Sequence, residues 1–132
     1  MLDLEQVDHL GIRVVDGARA IAFYELLGFE VTARHDAASV IIMTHPSGIE
    51  INLIVNGVPH DSGANVLMDQ ATKYSGYTHV ALRVSDVDSA VRRVQKLGIP
   101  ITEGPVKLGN GRSFFIRDPD GNVIELRAVS NS

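Results

Sequence analysis

The chain carries one phrase twice. "HPSGIEINL", residues 45–53, matches "DPDGNVIEL", residues 118–126, through Pro46/Pro119, Gly48/Gly121, Ile51/Ile124 and Leu53/Leu126. Upstream of these, with His9 laid on His79, the pairs Arg13/Arg83, Val14/Val84, Asp16/Asp86, Ala20/Ala90, Leu27/Leu97, Gly28/Gly98 and Thr32/Thr102 also coincide. The closing phrases need three more residues of spacing than the openings, so the second copy holds a small insertion. Such a duplication constrains a 132-residue chain more than its composition does: whatever unit the first half forms, the second forms again.

Within each copy the periods are legible. Residues 7–14 alternate, with Leu10, Ile12 and Val14 on one side and His9, Gly11 and Arg13 on the other, as in a strand with one packed face. Asp16 and Asp86 then stand where helices running to Leu27 and Leu97 need N-caps, and Gly28 and Gly98 supply the left-handed stop. Three strand-like runs follow each helix, at 30–35, 39–44 and 49–55 in the first copy and 100–107, 112–117 and 122–129 in the second. The expected fold class is α+β: two tandem βαβββ modules forming curved mixed sheets with helices outside. One domain spans 1–132, with module 1 at about 5–56, a linker at about 57–76 and module 2 at about 77–129. The linker is rich in Gly, Asn and Asp and is expected to hold a short helix around 66–72. "GNGRS", residues 109–113, lacks a phosphate-loop pattern and reads as a hairpin turn on Asn110 and Gly111.

The alternation divides the strands into two faces. Leu10, Ile12, Ile49, Ile51, Leu53, Val80, Leu82, Ile124 and Leu126 form an apolar side that must pack under the helices. The other side carries His9, Arg13, Glu50, Asn52, His79, Arg83, Glu125 and Arg127. Charged groups gather on a sheet face when they are wet, paired or binding something. With no cysteine in the chain, disulfides and thiolate chemistry are excluded, and any metal must be held by nitrogen and oxygen. A formal net charge of −4 with scattered Lys and Arg argues against nucleic acid as a partner. No apolar run approaches the ~20 residues needed to cross a bilayer. The acidic opening "MLDLEQVDHL" is unlike a signal peptide, so the cytoplasm is the expected compartment.

The βαβββ repeat, "FYELLGF" at the end of the first helix, the terminal "DPDGNVIEL" and a His at the first strand of each copy resemble the vicinal oxygen chelate superfamily. It includes glyoxalase I, fosfomycin-resistance enzymes, extradiol dioxygenases and bleomycin-binding proteins. The resemblance covers nearly the whole chain, and it implies a divalent ion held by residues of the first and fourth strands of each unit. Carried over position by position, the ligands are His9, His79 and Glu125, with Asn52 where some relatives have a second Glu. Two imidazoles and a carboxylate suit Fe, Ni, Mn or Zn, with positions left for water and substrate. The resemblance further implies a homodimer whose sites are shared between chains, His9 coming from one and His79 with Glu125 from the other.

Among these branches, glyoxalase I is similar in length and repeat order. Its resemblance implies a metal-dependent lyase/isomerase that acts on a small substrate with vicinal oxygens, such as a thiol hemithioacetal, with Glu125 as the base that moves the substrate proton. Arg13 matches, four residues past the His, an Arg that holds a glutathione carboxylate, and Arg83 recurs in the second copy. Asn52 removes one negative charge from the metal's surroundings and leaves an open or water-filled position. Glu50, on the same face but about 7 Å further along an ideal strand, is a second base or a partner for an arginine, and equally a solvated salt-bridge residue.

Three other branches fit less well. Ring-cleaving dioxygenases need a Tyr three residues before the Asp of "DP" and a His upstream; this chain has Phe115 and no His across 107–114. Fosfomycin thiol transferases place a Thr two residues after the first His, where this chain has Gly11. A small-molecule binding or antibiotic-resistance protein without a metal would have no use for the aligned His pair. His35 and Arg34, on a central strand or its end, reach the cleft or, the better fit, form a charged hairpin rim; His45 belongs to a turn, and His60 with Asp61 to the linker. Phe23, Met43 and Phe114 are expected in the core.

Overall fold

A computed structural model describes residues 1–60 and 63–129. The chain divides into two compact units, Met1–Pro59 and His60–Ser132. In the first, β1 (Leu10–Arg13) leads to α1 (Gly17–Leu26), then β2 (Glu30–His35), a 3-10 turn over Asp36–Ala38, β3 (Val40–Thr44) and β4 (Glu50–Ile54). In the second, β5 (His79–Arg83) leads to α2 (Val87–Lys96), β6 (Glu103–Leu108), β7 (Gly111–Arg117) and β8 (Val123–Val129). Each unit builds a four-stranded mixed sheet of the same order, β1-β4-β3-β2 and β5-β8-β7-β6. The first and last strands of each unit are parallel, β1 with β4 and β5 with β8, and the other pairs are antiparallel. The tandem βαβββ architecture expected from the repeat is therefore the observed one.

The helix boundaries follow from local chemistry. Asp16 Oδ1 accepts the Arg19 N–H at 3.2 Å, and Asp86 Oδ2 accepts the Ser89 N–H at 3.0 Å, so each helix has one otherwise unpaired donor satisfied. Gly28 and Gly98 follow the last helical turns with φ of 101° and 76°, a backbone region that disfavours side chains. At Gly28 the requirement is doubled, because a Cβ there would come within 2.9 Å of His45 Nε2.

In the first unit burial obeys the two-face division, whereas in the second it extends to Glu125 and Ser113 on the polar side. Ile41, Met43, Ile51 and Leu53 alternate along β3 and β4 and are buried together with Ala20, Phe23 and Tyr24 of α1. A Cβ at Gly17 would lie 3.3 Å from Ile41 Cδ1, which shows how closely α1 starts against β3. In the second unit Phe114, Ile116, Ile124 and Leu126 are buried along with Val87 and Val94 of α2. Phe23, Met43 and Phe114 are core residues, as expected.

Three local expectations are corrected. No helix forms around 66–72: Asn65 Oδ1 accepts the Leu67 and Met68 N–H groups, and the Asp69 N–H bonds to Asn65 O at 2.8 Å, which closes a single turn. The β6–β7 hairpin turns on Gly109 and Asn110, because Leu108 pairs with Gly111 and Gly109, with φ of 60°, supplies the left-handed first position. Arg34 and His35 lie on β2, an edge strand and not a central one. Asp61 lies outside the described residues. Among the described residues, no helix is long and apolar enough to cross a membrane.

Candidate active site

In the second unit, His79 opens β5 and Glu125 sits in the middle of β8. The parallel register pairs His79 with Val123 and Ala81 with Glu125, so the two side chains are diagonal neighbours on one face. A glutamate is long enough to close that diagonal. Glu125 Oε1 lies 3.0 Å from His79 Nε2, and its Oε2 accepts a 2.6 Å hydrogen bond from Ser113 Oγ. Ser113 is fully buried and Glu125 is 7% exposed, whereas the His79 side chain keeps about a third of its surface open. The other ring nitrogen, Nδ1, lies 2.9 Å from Thr78 Oγ1, and Phe115 meets the ring edge-on. On the far side of Ser113, Arg127 donates from Nη1 to the serine oxygen at 3.3 Å and from Nη2 to Asn110 Oδ1 at 2.7 Å.

A carboxylate oxygen and an imidazole nitrogen 3.0 Å apart need something positive between them, either a proton on Nε2 or a cation. Bonds of about 2.0–2.2 Å from one ion to a nitrogen and an oxygen would hold those two atoms roughly 3–3.5 Å apart. The observed spacing thus fits the geometry of two neighbouring metal ligands. It equally fits a hydrogen bond when Thr78 donates to Nδ1, so the tautomer separates the two states.

In the first unit the same diagonal is not closed. Gly11 faces Asn52 in the β1/β4 ladder, which puts Asn52 where Glu125 stands in the second unit. Asparagine is one methylene shorter than glutamate and neutral. Its Oδ1 is buried without a hydrogen-bond partner, a state costly enough to favour a ligand for that oxygen. Glu50 comes level with His9 because Leu10 pairs with Ile51 and each residue is one step earlier on its strand. Glu50 therefore has nearer partners than Asn52: ligand atoms of Asp8, His9 and Glu50 all lie within 4.8 Å of one another, a group able to hold a metal ion. No arginine pairs with Glu50 among the described residues. His9 Nδ1 is 2.6 Å from Asp8 Oδ2, which leaves Nε2 as the free ligand atom.

The arginines differ. Arg13 donates from Nε to Asn56 Oδ1 at 3.1 Å, which fixes its stem while the end of the guanidinium stays available. Arg83 is exposed at the end of β5, opposite Arg127 in the ladder. His45 Nδ1 accepts the Ser47 N–H at 3.0 Å, and its ring leans on Phe29 with centroids 5.2 Å apart, so it is a turn residue. Ser113, Arg127, Asp8 and Thr78 are the polar partners that sequence reasoning did not assign. One signal was present: Asp8 and Thr78 fall on each other in the repeat, each just ahead of its His.

Comparison with known proteins shows the family of the chain. The family model described as Glyoxalase/Bleomycin resistance protein/Dioxygenase superfamily matches residues 6–126. A virulence protein of Salmonella typhimurium is 31% identical over 130 residues, covering 93% of this chain and 83% of that protein. A probable lactoylglutathione lyase of Synechocystis sp. is 30% identical over 133 residues, covering 93% and 95%. Among solved structures, an antibiotic-binding protein from Streptomyces sp. has a TM-score of 0.72 at 25% identity, covering 98% of this chain and 100% of that one.

Proposed function

Because the chain belongs to the Glyoxalase/Bleomycin resistance protein/Dioxygenase superfamily, we propose that it is a glyoxalase-like, metal-dependent lyase/isomerase of small substrates with vicinal oxygens, a thiol hemithioacetal first among them. His9, His79 and Glu125 hold one divalent ion, of Ni, Zn, Fe or Mn, and the protein works as a cytoplasmic homodimer with sites shared between chains. The observation that carries this reading is the buried Glu125 carboxylate, steadied by Ser113 and presented to His79 Nε2 at 3.0 Å.

When bound, the ion supplies Lewis-acid polarisation of the two substrate oxygens, which acidifies the adjacent C–H. Glu125 takes the proton from the carbon bearing oxygen and sulfur and returns it to the neighbouring carbon. One C–H bond breaks and another forms while the hydroxyl proton passes to the neighbouring oxygen, so the isomerisation needs no outside oxidant or reductant. Burial of Glu125 keeps bulk water from competing for that proton. Arg13 and Arg83 hold an anionic end of the substrate through charge-assisted hydrogen bonds. Glu50, beside His9, is a second base, and Asn52 offers its unpartnered Oδ1 to a water or to the substrate.

The test is hemithioacetal isomerisation by metal-loaded wild type and by Asn52→Glu, which rebuilds the missing diagonal carboxylate. Higher turnover in the variant supports the reading; no turnover by either protein overturns it. A second reading, sequestration of a small molecule without turnover, is favoured by the structural likeness to the antibiotic-binding protein. Metal-free protein carrying a tightly held small ligand would decide for it.

A further inference from the structure

Ser113 is the fully buried polar residue on the face that carries Glu125, and its hydroxyl has both of its roles fixed by its partners. An ionised Glu125 can only accept, so the serine donates its one hydrogen to Oε2 at 2.6 Å. The Arg127 guanidinium can only donate, so the serine oxygen accepts from Nη1 at 3.3 Å. Arg127 is itself tied to Asn110 Oδ1 at 2.7 Å, in the turn that joins β6 and β7. The ladder sets this order: Ser113 faces Arg127 and Phe115 faces Glu125, so the serine is the diagonal neighbour of the carboxylate across β7 and β8.

From this chain of contacts we infer that Ser113 is a positioning residue: it pins Oε2 of Glu125 so that Oε1 alone is presented to His79 Nε2 as a one-armed ligand. Without the hydroxyl, the carboxylate is free to rotate about its last bond, and a buried oxygen loses its donor. Arg127 and Asn110 extend the support to the hairpin turn, so that the carboxylate is oriented by three residues in succession. The inference rests on the metal-dependent reading above, and it concerns Ser113, which that reading uses only as background.

The experiment is Co2+ titration of the full-length protein against a competing chelator, with the melting temperature of each variant as the folding control. Ser113→Ala is expected to weaken Co2+ binding on the order of tenfold while remaining folded. Ser113→Thr, which returns the hydroxyl, is expected to recover most of the loss. In a Glu125→Ala background, whose weak residual binding is lost on desalting and is read by direct Co2+ titration without chelator, Ser113→Ala should change the affinity by less than about twofold, because its route through the carboxylate is gone. Should Ser113→Ala unfold, Ser113→Cys, similar in size but a weak donor, makes the same comparison. Folded Ser113→Ala protein that binds Co2+ as tightly as wild type overturns the inference, as does an equal loss in the Glu125→Ala background. Co2+ uptake that depends on Ser113, without hemithioacetal turnover, supports it and overturns the proposed reaction alone. Wild type that takes up no Co2+ overturns both.

Discussion

Glu125 reaches back along its strand to His79, 3.0 Å from Oε1 to Nε2, although its ladder partner is Ala81. In the first unit the residue at the corresponding place is Asn52, whose shorter side chain ends in a buried oxygen without a partner. The two halves thus share a backbone and differ in one side-chain reach. That difference places a buried carboxylate beside the imidazole in the second unit and leaves the first with a different acidic neighbour, Glu50, beside His9.

Asp8 sets the tautomer of His9 through the 2.6 Å contact at Nδ1, whereas the Thr78 hydroxyl, 2.9 Å from His79 Nδ1, donates or accepts and so serves either tautomer. Asp8→Asn should weaken Co2+ binding by up to about tenfold, and Thr78→Val should weaken it less, since the hydroxyl brings no charge. A chelator-competition titration checks both. No effect of either would show that the preceding residues do not tune the imidazoles, and equal effects would show that charge is not what tunes them.

Asp69 and Arg117 form a bidentate pair, at 2.6 and 2.8 Å, which ties the linker turn to the end of β7. The guanidinium hydrogen bond, aided by the Asn65 N–H, holds the Asp69 carboxyl well below its ordinary value near 3.8. A carboxyl depressed in the folded state adds stability that is present above its unfolded value and is lost as pH falls through the folded one. Asp69→Asn should therefore be less stable than wild type at pH 7, and the gap should close as pH drops below about 4. Urea midpoints at pH 7, 5, 4 and 3 read it out, and a gap that stays constant with pH would refute it.

Leu53 is completely buried on the apolar face of β4, so Leu53→Ala should cost about 2–5 kcal/mol. Asp86→Ala, which removes a cap from an exposed helix start, should cost about 1 kcal/mol. Denaturant melts that rank the two in the opposite order would contradict the assignment of core and cap.

The architecture was readable because each of its determinants is local or repeated. Alternation placed Ile51 and Leu53 inside, Asp16 and Asp86 marked helix starts, and the duplication carried each assignment to the other half. The linker departs from the expected helix because the Asn65 and Asp69 side chains accept from nearby backbone donors, which stops the turn from propagating. The hairpin slipped by one residue because Gly109, and not Gly111, takes the left-handed position. At the site, the repeat marks His79 and the family resemblance implies Glu125, but neither reaches Ser113. Its role depends on which β7 residue lies diagonal to Glu125, and on a rotamer, and neither has a sequence period.

Elemental analysis of purified wild type, His9→Ala, His79→Ala and Glu125→Ala after incubation with Co2+ and desalting tests the shared ion most directly. Close to one ion per chain in wild type, and close to none in each of the three variants, is the predicted result. Metal-free wild type, or His9→Ala protein that keeps its full complement, would contradict the claim that these three side chains hold one cation.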